Sequence, residues 1–360
     1  MDLNEERAGI KTEYHRYTLR KIIFILACCI VVIAVGGTAM TLGSRDIGFF
    51  DVYRVLFDHM NGATYQLGTT EWWDDYIVWD SRLPRILMAV IAGAGLGIGG
   101  AAMQGVMKNP LADPYTTGIS SGAILGVTFA MVLGFTVGPG ISQYGIILNA
   151  FLFGLIPAGV MIFVSRFTRT SPVTMILAGI ALSYLFNALS TLILVTADAE
   201  DVADAYLWQI GTLENIMWSD LPLVFVVTVA GSVFLYIASK KLNLLSLGDE
   251  SARSLGLNVD NFRILCLAVI SLITASIISY TGIIGFVGLI APHIVRMFIG
   301  GDNRFVMPAS LVFGAALLLV ADVIARTIVS PGELPVGIIM SFIGGPLFLF
   351  LIIRQRKEVW

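Results

Sequence analysis

The sequence predicts an all-α polytopic membrane protein with about ten transmembrane helices. Of its 360 residues, 57% are hydrophobic and only 13% are charged, and the mean hydropathy is +0.85. Soluble chains of this length carry about a quarter charged residues. Most of the charge here lies in short segments that separate apolar runs of about twenty residues, the length that crosses a bilayer.

The apolar runs define the domain organisation. The first run, 22–42, is longer than the roughly 7–15-residue core of a signal peptide, so we interpret it as a retained helix. A cytoplasmic N-terminal segment, 1–21, precedes a single transmembrane domain, 22–353, and a cytoplasmic tail, 354–360, follows. The predicted spans are 22–42, 84–106, 115–135, 144–165, 173–196, 219–239, 262–282, 285–300, 306–328 and 335–353.

Basic residues predict the orientation of these spans. With the N-terminus and the C-terminus both inside, only five of the 22 lysines and arginines fall in outer segments: Arg45, Arg54, Arg82, Arg85 and Arg326. The outer segments instead hold most of the acids, as in the run 197–204. An excess of lysine and arginine on the cytoplasmic side is typical of membrane proteins, so the pattern favours ten spans with both ends inside.

Tryptophan indicates that two outer segments lie against the membrane surface. The predicted outer segments 43–80 and 198–218 contain Trp72, Trp73, Trp79, Trp208 and Trp218. Tryptophan prefers the membrane–water interface. We therefore expect interfacial helices within these segments.

A weak internal similarity predicts an inverted repeat. The stretch 100–110 is followed by a glycine-rich span, and so is the stretch 290–300 in the other half of the chain. Inverted repeats of this kind are common in transporters.

The sequence lacks the residues that several classes of function require. The net charge of −3 and the absence of a basic block argue against nucleic-acid binding. No phosphate-binding loop is present, since the chain has no Gly-Lys dipeptide. The cysteines lie in apolar runs and the histidines are dispersed, so neither a metal site nor catalytic residues are predicted. These residues are Cys28, Cys29, Cys266, His15, His59 and His293.

A stripe of small residues in the second span predicts close helix packing. Gly93, Gly97, Ala101 and Gly105 recur every four residues and so share one face of a helix. Small residues at this spacing let a neighbouring helix approach closely. Direct contact with a substrate is the alternative, less favoured interpretation.

Few ionisable residues lie within the spans. Asp322 is the clearest case, and it precedes Arg326 by four residues, the spacing of an ion pair on one helix. Ion-driven carriers usually place acids or histidines at mid-membrane. The scarcity of such residues argues against a secondary transporter, and the absence of a polar cluster argues against a membrane-embedded enzyme.

One cytoplasmic loop, 240–261, contains a predicted short helix. Gly248 precedes two acids suited to a helix N-terminus, and Gly256 can end the helix. A helix of about two turns would place Ala252 and Leu255 on one face, with Asp249, Glu250 and Arg253 facing solvent. It is either a docking helix for a cytoplasmic partner or a plain surface connector.

Several sequence motifs in a fixed order resemble one family over residues 20–360. The chain is similar to the permeases of iron-siderophore, haem and vitamin B12 ABC importers, the FecCD/BtuC-like family. The motifs that carry the resemblance are Ser81-Arg-Leu-Pro-Arg85, Gly100-Ala-Ala-Met-Gln-Gly105, Lys108-Asn-Pro-Leu-Ala-Asp-Pro114, Leu247-Gly-Asp-Glu-Ser-Ala-Arg-Ser-Leu-Gly256, Gly285-Phe-Val-Gly-Leu-Ile-Ala-Pro-His-Ile-Val-Arg296, Ala321-Asp-Val-Ile-Ala-Arg326 and Glu333-Leu-Pro-Val-Gly337.

The resemblance implies a subunit of a larger importer in the cytoplasmic membrane. We expect a type II ABC importer permease fold and a homodimer, or a dimer with a close paralogue, around a central pathway. Two ATPase subunits would sit inside and a substrate-binding protein outside. This chain would bind no cofactor, because ATP and Mg²⁺ would be held by the ATPases.

The resemblance also implies roles for particular residues. Arg82, Arg85 and Arg326 match outward arginines that engage acids of the binding protein, so we expect an exposed cationic dock; anchoring to lipid phosphates is the alternative. An inner gate is expected at Asn109 and Leu111, with a partner at Pro172, Val173 and Thr174. The residues expected to couple the chain to the ATPase are Leu247, Gly248, Asp249, Glu250, Ala252, Arg253, Leu255 and Gly256.

The cargo implied by the resemblance is a bulky metal chelate. An iron-siderophore is the leading expectation, and haem or cobalamin are the alternatives within the family. The outer segment 43–80 is longer and richer in tryptophan and aspartate than the family pattern, so the manner of docking on this side is open.

Overall fold

The computed structural model describes residues 3–43, 45–137, 142–165, 167 and 171–355. Residues 356–360 of the predicted tail lie outside this description. The described chain is built from helices, and fourteen of them are α-helices. They are α1 Leu3–Ala39, α2 Phe49–Met60, α3 Thr70–Asp75, α4 Leu83–Met107, α5 Ile119–Leu133, α6 Gln143–Val164, α7 Pro172–Val195, α8 Ala199–Gln209, α9 Leu221–Ser246, α10 Asp249–Ser254, α11 Val259–Thr281, α12 Val287–Ile299, α13 Asn303–Thr327 and α14 Val336–Gln355.

Each predicted span corresponds to one helix. Within the described residues, seven helical segments are long and apolar enough to cross a membrane, and three apolar helices, α5, α12 and the apolar part of α14, are shorter. Together they account for the ten predicted spans. The first helix begins at Leu3, so the N-terminal segment is helical as far as the first span. Strong helix formers such as glutamate, lysine and arginine in this segment favour that continuity.

Helix α4 lies at the centre of the bundle and packs against α9, α11, α12 and α13. Its glycines bring α13 close. A Cβ built on Gly93 would lie 2.4 Å from the carbonyl oxygen of Gly314, and one on Gly97 would lie 2.2 Å from that of Ser310. These distances are too short for any side chain, so both positions require glycine for the observed packing.

The other two members of the small-residue stripe face different neighbours. Ala101 is fully buried, and its carbonyl accepts a hydrogen bond from Arg296 of α12. A Cβ on Gly105 would lie 3.4 Å from Leu242 of α9, an ordinary contact. The stripe therefore serves three partner helices, and the closest backbone approach is confined to its first two glycines.

The outer segment 43–80 is largely helical. It holds α2 and α3, and a stretch of π-helix, Tyr76–Arg82, joins α3 to α4 in one continuous helical rod. The second tryptophan-bearing segment packs against it. The indole rings of Trp79 and Trp218 lie 5.3 Å apart, and Trp218 Nε1 donates a hydrogen bond to the carbonyl of Trp79 at 3.0 Å. The two outer segments that contain the tryptophans thus contact each other through Trp79 and Trp218.

Candidate functional site

Two clusters of polar residues lie at opposite ends of the central helices. The first cluster joins the start of α4 to the end of α13 through Asp322. Arg85 Nε donates to one carboxylate oxygen of Asp322 at 2.9 Å, and Arg326 Nη2 lies 2.9 Å from the other. The ion pair that the sequence predicted between Asp322 and Arg326 is confirmed. Asp322 also holds a second cation that sequence spacing did not reveal.

Glu333 completes this cluster from the connection between α13 and α14. Its Oε2 accepts a hydrogen bond from Arg85 Nη1 at 2.5 Å. The guanidinium of Arg85 is therefore shared between two carboxylates. Sequence reasoning gave Glu333 no role, although it stands in the motif that contributed to the family resemblance.

Arg82 binds two backbone carbonyls in the connection between α1 and α2. Its Nη1 donates to the carbonyl of Met40 at 2.7 Å, and its Nη2 donates to the carbonyl of Arg45 at 2.6 Å. Arg45 in turn pairs with Asp74 of α3 at 2.8 Å. A forked guanidinium is well suited to hold two carbonyls of one loop.

The expectation of an exposed cationic dock is wrong for these side chains. Arg82, Arg85 and Arg326 are 4%, 7% and 2% exposed. The physical reason is that groups within the chain pair with these cations, which lets them be buried. Arg82 donates to carbonyls and Arg85 to carboxylates. Arg326 is held by its ion pair with Asp322 and by one hydrogen bond to the carbonyl of Ala39, while its Nε has no hydrogen-bond partner. They do line a small cavity of about 100 Å³ together with Glu333. A role in docking a binding protein stays a prediction.

The second cluster surrounds α10, the short helix predicted in loop 240–261. The helix spans six residues, fewer than the predicted two turns, and Gly248 precedes it with φ of +109°. Ala252 is fully buried whereas Leu255 is 61% exposed. The prediction that these two share a face is wrong, because Leu255 lies beyond the last helical turn. Gly256 follows in the left-handed region with φ of +86°.

The exposed part of this segment combines apolar and charged side chains. Leu247 and Leu255 are both more than half exposed and lie on either side of α10. Glu250 and Arg253 are exposed between them, as the sequence predicted. Arg253 forms an ion pair with Asp260 at the start of α11 at 2.8 Å. The result is a mixed surface of the kind that docks a partner protein.

Asp249, predicted to face solvent, is only partly exposed because it accepts hydrogen bonds from two cations. Arg263 of α11 donates through both terminal nitrogens at 2.7 and 2.8 Å, and Lys108 donates at 2.5 Å. Hydrogen bonds from Arg263 hold the pKa of this carboxyl down at about 2. Neither cation could be assigned to Asp249 from sequence, since Lys108 lies 141 positions away.

The predicted gate residues Asn109 and Leu111 follow directly after Lys108. The Asn109 side chain accepts a hydrogen bond from the backbone N–H of Leu111 at 2.9 Å, which fixes a tight turn. Leu111 is exposed. A cavity of about 320 Å³ borders this turn, and its lining includes Gln104, Arg296 and Asn303.

The predicted partner of this gate lies at the start of α7. Pro172 occupies the first helical turn, and Ser171 caps the helix by accepting from the N–H of Thr174 at 3.1 Å. Val173 is exposed. Helix α7 packs against α5 and against the 3₁₀ turn Pro114–Thr117, which follows the gate turn along the chain. The geometry is compatible with a shared inner constriction, which stays a prediction.

Ten apolar helices in the described residues, with a mixed apolar and charged surface between α9 and α11, are the architecture of a multi-pass membrane protein. Residues 19–354 match the model of the FecCD transport family. The chain therefore belongs to this family, and it is a permease of the ABC transporter type.

Curated relatives and a solved structure agree with this assignment. The hemin transport system permease protein HmuU of Yersinia pestis is 38% identical over 89% of this chain and 93% of its own. The iron(3+)-hydroxamate import system permease protein FhuB of Bacillus subtilis is 33% identical over 93% of this chain and 84% of its own. A metal-chelate type ABC transporter in an inward-facing conformation superposes with a TM-score of 0.78 at 29% identity, covering 92% of this chain and 98% of that one.

Proposed function

We propose that this chain is the membrane subunit of an ATP-driven importer that moves a bulky metal chelate from an extracytoplasmic binding protein into the cytoplasm. The observation that carries the proposal is the surface around α10. Leu247 and Leu255 are exposed there beside Glu250 and Arg253, at the end of the bundle that basic residues assign to the cytoplasm. Exposed leucines on both sides of a short helix, next to exposed charged side chains, are typical of a surface that binds a partner protein.

ATP hydrolysis belongs to a separate subunit in this proposal. The chain contains no phosphate-binding loop, which an ATPase of this transporter class requires. ATP and Mg²⁺ would therefore be bound by two cytoplasmic ATPase subunits, and α10 would seat against them. The permease itself would supply the pathway and no catalytic residue.

A second copy of this chain, or a close paralogue, would complete the pathway. Helix α7 is long and apolar, yet only 17% of the residues in its most apolar stretch are buried within the protein. A cavity of about 600 Å³ lies between α8 and α14, and its lining includes Gln209, Gly211 and Ser341. Gln209 and Ser341 are polar side chains in a lining that is otherwise mostly apolar. Polar side chains are unfavourable against lipid, so their position supports a second subunit that covers this side of the bundle.

Transport would proceed by alternating access. Closure of the two ATPase subunits on ATP would displace both copies of α10, and the bundle would change which side of the pathway is open. Affinity for the cargo would reside mainly in the binding protein. The inner constriction would be formed by the turn at Asn109 and Leu111 with the start of α7.

The named relatives support a metal chelate as cargo. One is named for hemin and another for iron(3+)-hydroxamate, and the superposing structure is of metal-chelate type. We propose an iron-siderophore, with haem and cobalamin as the alternatives. Direct binding of the three ligands to the cognate binding protein, measured by intrinsic fluorescence, separates them: tight binding of haem or cobalamin alone would overturn the siderophore proposal.

Reconstitution tests the proposed function as a whole. Proteoliposomes that contain the permease, its ATPase and the binding protein are expected to accumulate radiolabelled ferric chelate only when ATP is present on the ATPase side. A matched vesicle without the ATPase is the control. Uptake that persists in the control, driven by an ion gradient, would instead establish a secondary transporter.

A further inference from the structure

Asp249 connects three parts of the chain that are distant in sequence. It is the first residue of α10, and it is held by Lys108, which directly follows α4, and by Arg263 of α11. Arg263 is fully buried, and its Nε also donates to the carbonyl of Val106 in the last turn of α4 at 3.2 Å. The guanidinium of Arg263 thus binds both the start of α10 and the end of α4.

The backbone at Lys108 places this connection directly before the gate turn. Lys108 caps α4 in the left-handed region with φ of 49°, a conformation that is uncommon for a residue with a side chain. Its ammonium is fixed on Asp249 at 2.5 Å. The turn at Asn109 and Leu111 begins at the next residue, so a displacement of Asp249 is carried through Lys108 to the residue where that turn starts.

We propose that Asp249, Lys108 and Arg263 form a positioning cluster that transmits displacement of α10 to the gate turn 108–111. The cluster deepens the proposed function, on which it rests. A buried guanidinium cannot lose its carboxylate without a large penalty. Helix α10 and the end of α4 therefore move together when a partner pushes α10, and the inner gate turn follows.

A second ion pair on the same helix provides the matched control. Asp260 of α11 pairs with Arg253 of α10 at 2.8 Å, but both side chains are exposed. This pair joins α10 to α11 alone and does not reach α4. Asp260→Asn removes an aspartate charge beside α10 by the same chemical change as Asp249→Asn, without touching the connection to the gate turn.

The first measurement is the number of chelate molecules transported per ATP hydrolysed in proteoliposomes of the full transporter. Asp249→Asn is expected to lower this ratio severalfold while ATP hydrolysis continues, because displacement of α10 would no longer reach the gate turn. Asp249→Glu keeps the charge and is expected to restore most of the ratio. Asp260→Asn is expected to lower it less than Asp249→Asn does, because Asp260 has no bond to α4 or to the gate turn.

The second measurement reports on the gate turn itself. With the three native cysteines replaced by alanine, Leu111→Cys is expected to react with a water-soluble maleimide at a rate that changes when a non-hydrolysable ATP analogue binds the ATPase. Asp249→Asn is expected to abolish the nucleotide-dependent change and Asp260→Asn to preserve it. A role of Asp249 in stability alone would not remove this response from assembled transporter.

The outcomes separate this proposal from the proposed function. Uptake without the ATPase would overturn the function itself. ATP-driven uptake with equal transport ratios and equal labelling responses in Asp249→Asn and Asp260→Asn would overturn the positioning cluster alone. If Asp249→Asn does not assemble with the ATPase, Lys108→Gln replaces it, since this variant keeps the Arg263 pair and breaks only the bond to the gate turn; an unchanged ratio there would also overturn the cluster.

Discussion

Asp322 and Arg85 form an ion pair between α13 and α4 at 2.9 Å, and both side chains are buried. The same carboxylate lies 2.9 Å from Arg326. Two buried cations therefore depend on one acid, with Glu333 as additional acceptor for Arg85. Such a cluster fastens the outer ends of the two most closely packed helices, and its removal is costly because the cations cannot reach water.

Asp322→Asn is expected to lower the free energy of unfolding by about 3–5 kcal/mol, the usual cost of breaking a buried pair. The measurement is an SDS titration of the purified protein in mixed micelles. Asp51→Asn is the matched control, because Asp51 and Arg54 lie 3.8 Å apart and are largely exposed; its effect is expected to stay below about 1 kcal/mol. Equal effects of the two variants would contradict a stabilising role of the buried cluster.

Glu333→Gln tests whether the outer arginines contribute to docking. Glu333 is the carboxylate of the cluster that remains partly exposed, at 25% of its side chain, and it neutralises Arg85 beside the outer cavity. Removing its charge is expected to tighten association with an acidic binding protein and to steepen the dependence on salt, since electrostatic steering depends on net local charge. Binding constants at two salt concentrations measure this, and unchanged constants would speak against docking at this site.

The direct substitutions Arg82→Glu and Arg85→Glu are poor tests of docking. Both would place an acid where Met40 and Arg45 carbonyls or Asp322 now accept hydrogen bonds. Loss of folding would then be indistinguishable from loss of docking. Ala252→Pro would be a poor test of contact between α10 and the ATPase for a similar reason, because the N–H of Ala252 donates to the carbonyl of Gly248 at 2.9 Å and its side chain is buried.

The helical framework could be predicted because it depends on local composition. Each span is a run of apolar residues long enough to cross a bilayer, and its ends coincide with charges, prolines or glycines. Helix α10 was predictable for the same reason, from Gly248 and Gly256 on either side of it. These signals lie within a few residues of the elements that they define.

The polar clusters could not be predicted in full, because their members come from distant parts of the chain. Arg85 and Glu333 are 248 positions apart, and Lys108 and Asp249 are 141 apart. Sequence can identify charged residues near span ends, but it does not say which acid folds back onto which arginine. The arginines were therefore expected to be exposed, and Asp249 was expected to face solvent.

Gly93→Ala and Gly97→Ala are expected to destabilise the bundle by about 1–3 kcal/mol each, as overpacking does. The added methyl groups would lie 2.4 and 2.2 Å from backbone oxygens of α13, which cannot move away without separating the helices. Gly159→Ala in α6 is the control, since a Cβ there meets nothing within 4 Å. It is expected to be neutral or slightly stabilising. Unfolding in SDS measures all three, and equal losses would refute the requirement for glycine at the α4–α13 contact.

The contribution of Asp249 to stability is expected to be constant between pH 5 and pH 8. Hydrogen bonds from Arg263 and Lys108 lower the pKa of Asp249 from 3.8 to about 2. A carboxyl whose pKa falls on folding contributes its full stabilisation above the unfolded value, and loses it as the pH falls toward the folded value. The difference in unfolding midpoint between the wild type and Asp249→Asn, measured across this range, should not change; a difference that shrinks toward pH 5 would contradict the lowered pKa.

Helix α2 is expected to lie in the outer lipid–water interface. Its exposed apolar residues, Phe49, Phe50, Tyr53, Phe57 and Met60, share one side of the helix, whereas Val52 is buried against the protein. An aromatic face beside charged residues is typical of helices in the plane of the membrane.

Spin labels on cysteine variants test the position of α2. In a background without native cysteines, a label at Phe57→Cys is expected to be relaxed more by oxygen than by a water-soluble nickel complex, because oxygen partitions into lipid. Arg54→Cys is the matched control, since Arg54 is exposed on the charged side of the same helix, and the order of the two relaxants should reverse there. If both positions favour the nickel complex, α2 faces water on all its exposed sides, and its aromatic face is then free to contact the binding protein.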